Sequence, residues 1–290
     1  MKIFISDAFD PTLPGRLGTY GEVFDDRDRL SEAEVILVRS KTKCTREFID
    51  RMPNLKLIIR GGVGIDNIDV AYAEEKGVEV HNTPAASSVA VAEVAMALML
   101  AVPNQILFCH EGMLKCEWRK KEVKRVELFK KTLGLIGIGR IGAEVAKRAA
   151  AFGMHVIAYD KYVDKSDLAV MKSFDEVIAE ADFLSLHTPL TDDTQGMISK
   201  EMIARMKDGA IIINTCRGKC VIEEDVAEAL ESGKLGGYGN DVWYSDPPEE
   251  SPLTNAPNTV LLPHVGASSR ENLLRIGDIV VEIIEAFTKK

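Results

Sequence analysis

One stretch limits the architecture of this chain more than any other. Thr132-Leu-Gly-Leu-Ile-Gly-Ile-Gly-Arg-Ile-Gly142 is a short apolar run that ends in Gly137-x-Gly139-x-x-Gly142. The run predicts a buried strand, the glycines a tight turn, and the residues from Arg140 a helix opening. A second strand, His155-Val-Ile-Ala-Tyr-Asp160, follows and ends on an acid. This is the pattern of a βαβ unit that binds a dinucleotide. Gly137 allows the turn, Gly139 lets backbone approach a pyrophosphate, and Gly142 lets helix and strand pack closely. The first N–H groups of the helix then face the phosphate charge. Asp160 stands where a carboxylate accepts hydrogen bonds from the adenosine ribose. It would repel a 2′-phosphate, which favours NAD over NADP, and the neighbouring Lys161 weakens that preference.

Strand and helix patterns alternate along the whole chain, as in an α/β protein with parallel sheets. Early strands are expected at Lys2–Ser6, Val35–Arg39, Leu55–Arg60 and Val78–His81, forming a first small α/β unit. An Ala-, Val- and Leu-rich stretch, Ser87–Phe108, reads as one long helix. Six further strands are expected at Thr132–Ile138, His155–Asp160, Phe183–His187, Ala210–Asn214, Gly236–Val242 and Val260–Leu262. Helices are expected near Arg140–Phe152, Ser199–Met206 and Glu223–Ser232. The final helix, Ser268–Thr288, is expected to return to the first unit. The two units are both doubly wound parallel sheets, with substrate expected between them.

The chain's 290 residues can hold two modest domains. Its 36 basic and 45 acidic residues give a net charge of −9, which argues against nucleic acid and anionic membranes as partners. No apolar run is long enough to span a bilayer, and Met1-Lys-Ile-Phe-Ile-Ser-Asp7 reads as a strand rather than a signal peptide. The five cysteines, Cys44, Cys109, Cys116, Cys216 and Cys220, show no zinc spacing. Reduced thiols, no metal site and a cytoplasmic location are the expectation.

A nicotinamide enzyme acting on an acid needs a cation for the carboxylate and a proton donor at the carbonyl. Arg217 directly follows Ile211-Ile-Ile-Asn-Thr215, and a guanidinium matches a planar carboxylate. His264 follows Val260-Leu-Leu-Pro263 and precedes a turn of small residues; histidine is the natural acid–base near neutral pH. A carboxylate beside that imidazole would fix its tautomer and stabilise its protonated form. Spacing does not choose among Asp241, Asp246, Glu249 and Glu250. His81, His110, His155 and His187 read as structural, although His187-Thr188-Pro189 ends a strand on the cofactor side and could line an adenine pocket.

Taken in order, these motifs resemble the D-isomer-specific 2-hydroxyacid dehydrogenases, and most closely their D-3-phosphoglycerate branch. The resemblance rests on Ile59-Arg-Gly-Gly-Val-Gly-Ile-Asp-Asn-Ile-Asp69, Asn82-Thr-Pro and Lys131–Gly142. It continues through His187-Thr-Pro-Leu, Ile213-Asn-Thr-Cys-Arg-Gly218 and Pro263-His-Val-Gly-Ala-Ser-Ser269, and spans residues 35–284. It implies a Rossmann NAD-binding domain (93–270) inserted in a flavodoxin-like substrate domain (1–92 and 271–290). It also implies Arg217 as substrate anchor, His264 as acid–base, and Asp246 where the family carries the histidine's glutamate partner. An aspartate is one methylene shorter, so contact with His264 is expected to need a backbone adjustment or a bridging water.

The implied NAD contacts are Gly137, Gly139, Arg140, Ile141, Gly142, Asp160, His187, Thr188, Pro189, Thr215, Cys216, Asp241, His264, Gly266 and Ala267. Arg39, Arg60, Gly61, Gly62 and Val63 are implied on the substrate side, together with Arg217 and His264. Arg39 and Arg60 match positions that face a substrate phosphate, and also fit a plain carboxylate site. Val63 stands where a threonine often touches the cofactor. In the family the region of Ser87–Phe108 and Trp118 forms a homodimer interface. A regulatory domain after Lys290, and serine feedback through it, are not expected. The implied reaction interconverts a small anionic D-2-hydroxy acid and its 2-oxo acid. 3-Phosphoglycerate ranks first, then glyoxylate or hydroxypyruvate, then D-lactate. Asp241-Val-Trp-Tyr244 resembles the formate branch, whose histidine partner is an amide. A non-enzymatic alternative is a dinucleotide-responsive co-repressor.

Overall fold

A computed structural model describes residues 1–289. The chain divides into two compact units, Met1–Ala90 with the segment from Ala267 onward, and Val91–Gly266. In the first unit, strands β1 (Lys2–Ile5), β2 (Glu22–Phe24), β3 (Val35–Val38), β4 (Leu57–Arg60) and β5 (Glu79–Asn82) form a parallel sheet in the order β2-β1-β3-β4-β5. All four residues of β3 are buried, as a strand covered on both faces requires. Alternation along the strands sorts the core into two layers. Phe4, Ile36, Val38 and Ile58 fill one. Ile3, Val35, Leu37, Leu57 and Ile59 fill the other, against Ile276, Val280 and Ile284 of the last helix, Arg270–Thr288. Those three recur every fourth residue, so one stripe of the helix is apolar.

The second unit carries seven parallel strands: β6 (Thr132–Ile136), β7 (His155–Tyr159), β8 (Val170–Met171), β9 (Phe183–Leu186), β10 (Ala210–Asn214), β11 (Leu235–Asn240) and β12 (Thr259–Leu261). Their order, β12-β11-β10-β9-β6-β7-β8, reverses direction between β6 and β9. A crevice opens at such a reversal, outside the carboxyl ends of the strands. β11 is rich in glycine for a packing reason. A Cβ at Gly237 would lie 2.3 Å from Val102 Cγ1, and one at Gly239 would lie 3.0 Å from Leu98 Cβ. The strand therefore lets the Ser88–Ala101 helix approach the sheet closely.

The structure departs from the sequence expectations in four places. β2 and β8 were not expected: they are edge strands of three and two residues, too short to show alternation. The helix Phe174–Glu180 was also missed, although Ser173 and Glu176 form its capping box. The single helix expected over Ser87–Phe108 is two helices, Ser88–Ala101 and Ile106–Leu114, bent by 67°. Pro103, which cannot donate to a helical hydrogen bond, lies in the break, and Gln105 takes a left-handed φ of 51°. No single helix among the described residues is long and apolar enough to cross a membrane.

Candidate active site

The crevice at the carboxyl ends of β6, β7 and β9 has a volume of about 900 Å³. Gly137, Gly139, Asp160, Lys161, His187, Thr188 and Pro189 are among the residues that line it. Gly137 has a φ of +95°, and a Cβ there would lie 2.6 Å from the His187 carbonyl oxygen. A Cβ on Gly142 would lie 2.2 Å from the Gly137 carbonyl oxygen. Gly139 has open space beside it and caps the Arg140–Ala151 helix without a side-chain bond. The N–H groups of the first turn, at Arg140 and Ile141, are thus left to an anion.

Asp160 is fixed by the backbone. Its Oδ2 accepts from Ile138 N–H (2.9 Å) and its Oδ1 from Tyr162 N–H (2.9 Å). Across the crevice, His187 Nε2 pairs with Ser185 Oγ at 2.9 Å. Burial pushes this histidine down to about 4, so it is neutral at physiological pH. Three buried polar atoms, His187 Nδ1 and Thr188 Oγ1 beyond β9 and Thr215 Oγ1 beyond the neighbouring β10, have no hydrogen-bond partner in the chain. Buried polar atoms are rarely left unpaired, so a polar ligand fits here.

The second cluster lies at the carboxyl ends of β10, β11 and β12. Arg217 follows β10; its Nη1 donates to the Cys216 carbonyl (2.6 Å). Gly218 behind it packs against backbone, since a Cβ there would lie 2.2 Å from the Trp243 carbonyl carbon. His264 stands just beyond β12 in a left-handed conformation, φ 57°. Its Nδ1 is hydrogen-bonded directly to Asp246 Oδ2, so among the four acids left open by spacing the structure puts Asp246 on the ring. The shorter side chain reaches the ring without a bridging water. The bond from His264 holds the Asp246 carboxyl below the usual range, and the Arg217 guanidinium adds to that effect. Asp241 has a different task. Its oxygens accept from Val265 N–H (2.8 Å) and Gly266 N–H (2.7 Å), which clamps the turn carrying His264. Burial pushes Asp241 up, and those two bonds oppose the shift.

Sequence reasoning missed the residues that hold this cluster. Asn214, Tyr238 and Asn240 are fully buried. Asn214 Nδ2 donates to the Arg217 carbonyl (3.0 Å) and to Tyr238 Oη (3.3 Å), and Asn214 Oδ1 accepts from Cys216 N–H (3.1 Å). Tyr238 Oη donates to Asn240 Oδ1 (3.1 Å), and Asn240 Nδ2 donates to the Val242 carbonyl (2.7 Å). Trp243 Nε1 donates to the Leu262 carbonyl (2.9 Å), tying the segment before Asp246 to the segment before His264. The one available signal was an asparagine ending each of two apolar strands.

In the first unit, Arg39 and Arg60 stand at the ends of β3 and β4. Arg39 N–H donates to Asp7 Oδ2 (2.6 Å), and its Nη2 donates to the Ala267 carbonyl (3.0 Å). Burial lowers the Arg39 pKa. Arg60 Nη1 donates to the Gly61 carbonyl (3.4 Å). The guanidinium folds over Gly62, where a Cβ would lie 1.4 Å from Nη1 and φ is +149°. Val63 is 37% exposed, and its carbonyl accepts from Asn82 Nδ2 (2.5 Å). Asp7, which also accepts from Thr42 Oγ1 (2.7 Å), was not singled out by sequence.

A doubly wound unit with a glycine turn, an acid at the end of the next strand and an Arg–His–carboxylate cluster defines a class: dehydrogenases of hydroxy acids that use a nicotinamide dinucleotide. Comparison with known proteins gives the family. Residues 96–266 match the NAD binding domain of the D-isomer specific 2-hydroxyacid dehydrogenases. Hydroxypyruvate reductase of Thermotoga maritima is 47% identical over 265 residues, 90% of this chain and 86% of that protein. D-3-phosphoglycerate dehydrogenase of Methanocaldococcus jannaschii is 44% identical over 263 residues, and the chain spans about half of that relative (50%). The NAD-dependent formate dehydrogenase of Staphylococcus aureus, solved with NAD, superposes with a TM-score of 0.90 at 32% identity, covering 99% of this chain and 96% of that one. The chain belongs to the NAD-dependent D-2-hydroxyacid dehydrogenase family.

Proposed function

We propose that this protein reduces hydroxypyruvate, or a 2-oxo acid of similar size, to the D-2-hydroxy acid. The observation that supports this most is the His264–Asp246 hydrogen bond with Arg217 close enough to help keep Asp246 ionised. Arg217 binds the substrate carboxylate and polarises the carbonyl. Bound NADH would supply the hydride at C2. His264 gives its ring proton to the carbonyl oxygen, and Asp246 stabilises the protonated ring. Asp160 would receive the adenosine ribose hydroxyls, and the N–H groups at Arg140 and Ile141 would meet the pyrophosphate. Thr188, Thr215, Cys216 and the His264–Gly266 turn would also hold the cofactor, with Asp241 as the residue that positions that turn.

Hydroxypyruvate ranks ahead of 3-phosphohydroxypyruvate for two reasons. The hydroxypyruvate reductase is the more similar of the two relatives, 47% against 44% identical. Arg39 and Arg60 also each spend a guanidinium nitrogen on a backbone carbonyl. The phosphorylated acid is the second reading, because guanidinium groups suit a phosphate as well as a carboxylate. The test is NADH oxidation with glyoxylate, pyruvate, hydroxypyruvate and 3-phosphohydroxypyruvate. The highest kcat/KM is expected with hydroxypyruvate. A clear preference for the phosphorylated acid would promote the second reading. No turnover with any of them, with NADH still bound, would leave a non-catalytic dinucleotide-binding protein.

We also propose a homodimer. The Ser88–Ala101 helix is consumed by the core of its own unit, through Ala92, Ala95, Met96, Leu98 and Met99. The apolar surplus lies further on: Leu107, Met113, Leu114 and Trp118 are 46%, 55%, 72% and 76% exposed. Exposed apolar side chains this close in sequence support an interface between two copies of the chain. Light scattering at micromolar concentration is expected to give twice the chain mass; the mass of one chain would refute the dimer.

A further inference from the structure

Lys161 lines the same crevice as Asp160. It directly follows Asp160, and a lysine at that place offers a 2′-phosphate the charge that Asp160 denies it. Among the described residues that line the crevice, Lys161 carries the one full positive charge, against the carboxylates of Asp160, Asp192 and Asp193. Its ammonium is hydrogen-bonded to Asp193. Lys161 lies just beyond β7, and Asp193 lies in the loop that follows β9. Those two strands flank β6, so the pair crosses above the end of the strand that runs into the Gly137 turn. Both ends are held. Asp160, next to Lys161, has each oxygen on a backbone N–H. The Asp193 loop is closed by Thr194, whose Oγ1 donates to the Pro189 carbonyl (2.7 Å) and accepts from Thr191 N–H (2.8 Å).

We propose that Asp193 is a second determinant of cofactor selectivity, acting by occupying Lys161 so that this cation cannot serve a 2′-phosphate. Asp160 repels the phosphate directly. Asp193 removes the local compensation that its neighbouring lysine would provide. The combined crevice charge then stays negative, two units below neutral for these four side chains taken as ionised. The pair is exposed, 57% at Lys161 and 68% at Asp193, so its effect is modest and sensitive to salt. The inference rests on the reading of Asp160 as the ribose acceptor.

The experiment measures binding without chemistry, using ADP-ribose and 2′-phospho-ADP-ribose by calorimetry at low and high salt. Asp193→Asn is expected to shift the ratio of the two Kd values toward the phosphorylated ligand by about fivefold at low salt. The gain should shrink at high salt. Lys161→Gln should abolish the gain when placed in Asp193→Asn, and should change the ratio less in the unmodified protein. That coupling separates an occupied lysine from a simple sum of surface charges. An unchanged ratio in Asp193→Asn, or strictly additive effects of the two substitutions, overturns the proposal. Asp160→Ser is the parallel arm. If it shifts the ratio while Asp193→Asn does not, the ribose placement stands and the role of Asp193 falls. If neither shifts it, both fall.

Discussion

The carboxyl ends of β10 to β12 and the crevice lip beyond β7 and β9 use the same materials, carboxylates facing cations, in opposite settings. At the first, Asp246 and His264 are 35% and 28% exposed, and the loops that carry them are tied by fully buried amides and a tyrosine. At the second, Lys161 and Asp193 are 57% and 68% exposed, and only the loops' own bonds hold them. A proton-transfer site needs fixed geometry, because reach to the reacting atom decides the rate. Selectivity between two dinucleotides needs only a sign of charge, which an exposed surface pair supplies. The two regions should therefore answer differently to mutation, salt and denaturant.

The largest effect is expected at His264. His264→Gln removes the proton donor and should lower kcat by about 10²–10⁴-fold with NADH affinity near that of the unmodified protein. Equal losses of kcat and of NADH binding, read by stopped-flow and fluorescence titration, would move His264 from chemistry to cofactor binding. Next comes the buried network. Asn240→Ala removes the acceptor of the Tyr238 hydroxyl proton and the donor to the Val242 carbonyl and should cost about 1–3 kcal/mol in urea unfolding. A stability unchanged by this substitution would break the contrast between a locked region and a loose one. The smallest of these effects belongs to the lip. Asp160→Ser should relax the preference for NADH over NADPH by about tenfold, roughly 1.4 kcal/mol.

What was legible in the sequence follows the same division. Long buried strands announced themselves because parallel sheets demand continuous apolar runs, and β3 and β10 are wholly buried. Edge strands β2 and β8 have too few residues to carry a pattern, and the break after Ala101 is signalled only by the short run Pro103-Asn104-Gln105 between two apolar stretches. In the site, Arg217 and His264 were visible because each ends an apolar strand beside a small residue. Asp246 was one acid among four within ten residues, and only the folded loop, drawn in by the Trp243–Leu262 bond, selects it. The pairing of Lys161 with Asp193 joins residues 32 positions apart, which no local spacing reports.

The central claim is that Asp246 acts through His264. Its most direct test is the pH dependence of 2-oxo acid reduction in the unmodified protein, Asp246→Asn and Asp246→Glu. The negative carboxylate stabilises the protonated ring, and protonated His264 is the form that donates to the carbonyl. Removing the charge in Asp246→Asn should move the alkaline fall of the rate to lower pH and cost less activity at its optimum than His264→Gln. Asp246→Glu keeps the charge and should keep the limb near its original position. A profile for Asp246→Asn that superimposes on that of the unmodified protein, in both height and position, would contradict the account.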